Sequence, residues 1–142
     1  MSAIAKLFPK DRENITPLIE FIMPAPKTDK NDYKKILENS KDVFKKRLPE
    51  VAEQMVKYCG RNTVFVDVHL LDGDIRASML AHILSSANSL DLFSIPVVYI
   101  APVMSTDADM ETRKIAVEYA QRNKAGLCIR IDGTICHDWT LL

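Results

Sequence analysis

Thr63–Leu71 reads TVFVDVHLL, and this stretch decides the fold. Its β-branched and aromatic residues form a nearly continuous apolar run without clean alternation, as in strands covered on both faces. The break Gly60-Arg61-Asn62 precedes it. Asp72-Gly73-Asp74 follows it as a turn leading into a helix, with Asp74 as the cap. On that helix Ile75, Met79, Leu80, Ile83, Leu84 and Ala87 share one face, and the period ends before Ser89. One strand with one amphipathic helix is a βα unit.

Working outward, the same unit recurs. Ile15–Met23 (ITPLIEFIM), Ile95–Val103 (IPVVYIAPV) and Gly126–Asp132 (GLCIRID) have the same strand character, with the third strand expected to begin at or just after Pro96 and to end by Pro102. Met110, Ala116, Val117 and Ala120 give a helical face after a cap region at Ser105-Thr106-Asp107. The lysine-rich connection from Asn31 to Cys59 is expected to form two helices, divided at Pro49 and closed by Gly60. Ala3–Leu7 reads as the last turns of a helix before the first strand.

Alternation at this spacing builds right-handed crossovers, hence an α/β fold with a four-stranded parallel sheet. Two architectures fit: an open doubly wound sheet, or a consecutive piece of a TIM-like (β/α) barrel. The 142 residues are expected to form one α/β domain, 1–142. They fall well below the roughly 250 of a closed eight-stranded barrel. With about four units present, the expectation is a piece of a larger barrel or a chain that needs a partner.

Composition removes several function classes. Nineteen Lys and Arg balance nineteen Asp and Glu, so no global field favours nucleic acid or an anionic membrane. The lysines at 27, 30, 34, 35, 41, 45 and 46 are interleaved with Asp29, Asp32, Glu38 and Asp42, as on a solvated outer face. No apolar run approaches the ~18 residues of a membrane span, and MSAIAKLFPKDREN is charged too early for a secretory leader. Cys59, Cys128 and Cys136 lack CxxC spacing and read as reduced thiols, so a cytoplasmic address is expected. Four glycines do not assemble a dinucleotide fingerprint or a P-loop, and the sequence names no cofactor.

The informative residues are charges inside apolar strands: Glu20 in PLIEF, Asp67 in VFVDV and Arg130 in LCIRID. Period-two counting places His69 on the Asp67 face and Asp132 on the Arg130 face, each one step nearer the strand's C-terminal end. α/β folds bind ligands at that end. Glu20, Asp67, His69, Arg130 and Asp132 are therefore the candidate ligand site, with Arg130 as a clamp for a small anionic ligand. The same residues equally describe a structural network in which Arg130 satisfies two buried carboxylates. Metal ligation by Glu20, Asp67 and His69 is the weaker reading, and none is assigned. Cys128 on the Arg130 face reads as a small hydrophobe, and His82 and His137 as ordinary histidines.

The order PLIE (17–20), FVD (65–67), PV (96–97) and G-x-x-x-R (126–130) resembles the uncharacterised phage and prophage proteins called the beta protein family. Glu20, Asp67 and Arg130 occupy that family's charged strand positions. The resemblance implies a (β/α) barrel-like protein more than twice this length and carries no established activity. VFVDVHLLDGD also resembles the acidic strand of orotidine-monophosphate-decarboxylase-like barrels, but His69 stands where that pattern has its lysine. Two alternatives accompany a phage-associated ligand-binding barrel. One is an enzyme using acid–base or metal-assisted chemistry on a phosphorylated or carboxylated small molecule. The other is a non-catalytic module that uses its open sheet edges to form a homo-oligomer or to pair with the remainder of a barrel.

Overall fold

A computed structural model describes residues 14–30, 32, 35–100 and 106–131. Four parallel strands stand in sequential order: β1 (Leu18–Glu20), β4 (Val64–Asp67), β5 (Ser94–Ile100) and β6 (Cys128–Ile131). A short antiparallel pair, β2 (Lys27–Thr28) and β3 (Ile36–Glu38), lies between the first two. Three helices complete the described chain: α1 (Ser40–Cys59), α2 (Gly73–Ser89) and α3 (Asp107–Asn123).

Sequential strand order has a topological consequence. Each right-handed crossover advances in the same direction, so the three helices share one face of the sheet. A doubly wound sheet instead reverses its strand order and carries helices on both faces. Burial agrees with the first arrangement. Ile19, Phe21, Val64, Val66, Val68 and Val98 face the helices and belong to the core. Leu18, Glu20 and Ile22 on the other face of β1 are exposed, while Phe65, Ile95 and Tyr99 are half-buried. Among the described residues the four-stranded parallel sheet is singly wound, with its helices on one face.

The helices follow from their apolar stripes. On α1, Phe44, Leu48, Ala52, Met55 and Cys59 are buried at helical spacing, and Phe44 meets Phe21 edge to face with centroids 6.5 Å apart. Asn39 caps the start, accepting from the Asp42 amide at 2.9 Å. Gly60, at φ +67°, ends the helix in a conformation that L residues adopt rarely. The central α2 is flanked on both sides, and its expected face is buried in full. Its first residue, Gly73, lies so close to α3 that an added Cβ would sit 3.2 Å from the Ala108 Cβ. Thr106 and Asp109 form a reciprocal capping box on α3.

Four expectations need correction. The first concerns Asp74: Asp72, without a side-chain cap bond, holds the cap position of α2, and Asp74 lies in its first turn. Residues 36–38 form a strand rather than helix, and α1 is one helix that continues through Pro49. Pro49 and Lys45, whose carbonyl loses its partner, are both exposed, so water replaces the missing bond. Leu48 and Ala52 meanwhile hold the helix on the core from both sides of the proline. Pro96 lies within β5 rather than at its start, pairing with Val66, and the ladder to β6 begins immediately after it at Val97. On α3 the buried positions are Thr112 and Ala116, whereas Met110 is exposed.

Because an interior proline costs about 3 kcal/mol and its stiffening of the unfolded chain returns up to about 1 kcal/mol, Pro49→Ala should stabilise the protein. The expected gain is about 2 kcal/mol in urea denaturation; an unchanged midpoint would contradict this account of α1.

Candidate functional site

Parallel register decides which charges meet. Glu20 is level with Asp67 on β1 and β4, and Arg130 is level with Tyr99 on β6 and β5. Period-two geometry therefore points Glu20, Asp67, His69, Tyr99 and Arg130 to the face that the helices leave open. Arg130 Nη1 donates to Asp67 Oδ2 at 2.6 Å and also to Glu20 Oε1. Neighbouring strands lie about 4.8 Å apart, so in a flat sheet β1 and β6 would be separated by roughly 14 Å. A direct contact between side chains of these two strands means that the sheet curls toward the open face, with Arg130 lying across it.

The triad is unequal in exposure. The Asp67 side chain is 1% exposed, against 35% for Glu20 and 40% for Arg130. Asp67 is the member that depends on its partners: Arg130 takes Oδ2, and the His69 backbone amide donates to Oδ1 at 2.9 Å. The two carboxylates together raise the guanidinium's affinity for its proton, with the Glu20 contact the larger influence. Among the described residues no group of three His, Cys, Asp or Glu is placed to hold a metal ion. Asp67, with both oxygens engaged, is a poor ligand in any case.

One step further toward the C-terminal end, His69 stacks on Tyr99 with ring centroids 3.7 Å apart. These rings line a cavity of about 20 Å³ together with Arg76, Asp109, Thr112 and Arg113. Arg76, from the first turns of α2, donates Nε and Nη2 to the Leu71 carbonyl at 3.2 and 3.0 Å, and Nη1 to Asp109 Oδ1 at 2.5 Å. It thereby ties the loop after β4 to the first turn of α3. The Thr106 hydroxyl, backed by Arg76, holds the Asp109 carboxyl below its usual range.

The structure thus brings together Glu20, Asp67 and Arg130, with His69 adjoining; Asp132, Cys136 and His137 lie outside the described residues. Sequence reasoning missed Arg76, Asp109 and Arg113. The available signal was the Thr106-x-x-Asp109 capping pattern, which fixes where the α3 end of the rim must be. Cys59 and Cys128 are free thiols, and burial pushes the Cys59 thiol up. His82 is exposed on α2. No helix among the described residues is long and apolar enough to cross a membrane.

Burial, reinforced by the positive charge of Arg76, lowers the His69 pKa from its ordinary 6.5. Between the folded and unfolded values the unfolded chain binds more protons, so stability rises with pH there. The contribution is complete above the unfolded value and declines as pH falls through that window toward the folded one. Urea denaturation at pH 5.5 and 7.5 should show the loss at the lower pH, and His69→Asn should flatten it. An unaltered slope in that variant would remove His69 as the cause.

A family model described as Beta protein matches residues 1–139, whereas no curated protein and no solved structure matches the chain. The match runs through all four parallel strands and includes the positions of Glu20, Asp67 and Arg130. On that span, the chain belongs to the Beta protein family.

Proposed function

We propose that this is a phage- or prophage-encoded, cytoplasmic protein of β/α-barrel type that holds a small anionic ligand at the C-terminal ends of β4 and β5. One observation carries the reading. The groups around the small cavity there are two guanidiniums, Arg76 and Arg113, against a single carboxylate, Asp109, beside a histidine held toward its neutral form, and at about 20 Å³ it admits one oxygen of the ligand, the rest lying outside. Its local charge is therefore positive although the chain as a whole is neutral, and rings and guanidinium planes offer the flat donors that phosphate or carboxylate groups take. The Glu20–Arg130–Asp67 triad beneath supplies the rigid floor. The phage origin rests on the resemblance of the strand motifs, and the cytoplasmic address on the free thiols of Cys59 and Cys128.

Thermal denaturation with increasing inorganic phosphate, against sodium chloride at matched ionic strength, tests the site. Phosphate should raise the melting temperature of the wild-type chain beyond the salt control, since a ligand bound only to the folded state stabilises it by mass action. Arg113→Gln should remove the difference. Equal curves in phosphate and chloride for the wild type would sink the proposal.

A further inference from the structure

The charges around His69 point to a narrower class of ligand than an anion in general. His69 lines the cavity from β4, and Tyr99 of β5 covers one face of the imidazole, the two rings lying 25° from parallel. Among the described residues, charged groups reach the ring from several elements. Asp67 lies two residues back on β4 and accepts the His69 amide at Oδ1. Arg76 projects from α2, Asp109 and Arg113 from α3, and Arg130 from β6, itself paired with Glu20 of β1. Burial does most to keep the ring neutral, the Arg76 and Arg130 charges add to it, and the Asp67 and Asp109 carboxylates pull the other way.

An anion changes that balance. Neutral imidazole has one donor and one acceptor nitrogen, whereas the imidazolium offers two donors to an oxyanion. An oxygen seated in a space of about 20 Å³ lies against the His69, Arg76 and Arg113 side chains that line it. Two guanidiniums against the Asp109 carboxylate leave one net positive charge there, which matches a monoanion. A protonated His69 adds a second, which matches a dianion. Tyr99 accommodates that change, because an aromatic face attracts a cation.

We propose that the cavity selects dianionic tetrahedral oxyanions, of the phosphoryl or sulfate kind, over monoanionic carboxylates, and that the dianion binds together with a proton taken up by His69. The inference rests on the anion-site reading above and narrows its ligand class. Solvent supplies the proton, an imidazole nitrogen gains it, and no bond of the ligand changes. Since coupling is reciprocal, the dianion binds more tightly as pH falls through the range in which His69 titrates.

Sulfate is the probe, because it stays a dianion throughout the titration of an imidazole, and formate is its monoanionic counterpart. Imidazole proton shifts of the full chain are followed with pH in saturating sulfate, in formate and in sodium chloride at matched ionic strength; the His69 signal is the one missing from His69→Asn. Sulfate should raise the His69 midpoint by about one unit over chloride, equivalent to about tenfold tighter binding by the protonated form. Formate should raise it by less than half as much. Calorimetry in buffers of different ionisation enthalpy should report proton uptake with sulfate in the wild type, a measurement that needs no variant, and none in His69→Asn. Glycerol 3-phosphate at pH 7.5 separates two sources of the same chemistry: tighter binding than sulfate supports the end group of a larger molecule, and equal or weaker binding supports a free oxyanion. A wild-type chain with no saturable response to sulfate overturns the anion site and this selection with it. Sulfate that binds without moving the His69 midpoint, formate that moves it as far, or proton uptake that persists in His69→Asn overturns the selection and leaves the anion site standing.

Discussion

Arg130→Ala is expected to lower the unfolding free energy by about 3 kcal/mol, because it leaves Asp67 ionised in the core with a single remaining donor. Removing one partner of a buried pair costs about 3–5 kcal/mol. The lower end applies here, since Arg130 is itself partly exposed and water can enter where the guanidinium was. The effect should be strongly asymmetric within the triad. Glu20 is about one-third exposed, so Glu20→Gln removes an ion pair that water largely replaces, at a cost within about 1 kcal/mol.

Variants that change both partners separate the charge from the packing. Arg130→Lys keeps a cation but offers one point of contact in place of a planar fork, so it should recover only part of the loss. Asp67→Asn combined with Arg130→Met should recover more, because no ion is then left buried. Urea denaturation of these four chains against wild type gives the comparison. A loss below about 1 kcal/mol for Arg130→Ala would show that Asp67 is hydrated and that the triad does not act as a core network.

The strands and the triad were legible in the sequence for the same physical reason. A strand buried on one face and half-covered on the other tolerates few polar residues, so a charge such as Asp67 stands out among Phe65, Val66 and Val68. Period two then says which charges share a face. Pro49 and residues 36–38 were less legible. A proline reads as a break, yet Phe44, Leu48, Ala52 and Met55 keep one register through it, and tertiary packing outweighs the local cost. The β2–β3 pair is too short for a periodic signal, and its lysines resemble those of a solvated helix. Sequence separation explains why the rim was missed. Arg76 looks like a surface residue of an amphipathic helix, and nothing local reveals that Asp109, 33 positions away, will meet it.

That distant contact underlies the second large effect. Arg76→Met should destabilise the protein by about 3 kcal/mol. It removes two bonds to the carbonyl of buried Leu71 and the partner of Asp109, both in a largely enclosed setting. A purely structural tie would stop there, but Arg76 is also the charge that does most, after burial, to lower the His69 pKa. Its loss should therefore raise the pH at which His69 titrates in the folded chain, read from imidazole proton shifts. Asp109→Asn should move His69 the opposite way, since that carboxylate favours the imidazolium. Opposite shifts from two variants that both weaken the same salt bridge cannot come from general loosening of the rim. They would show that Arg76 and Asp109 set the charge state of the histidine at the mouth of the sheet, and equal shifts would show that they do not.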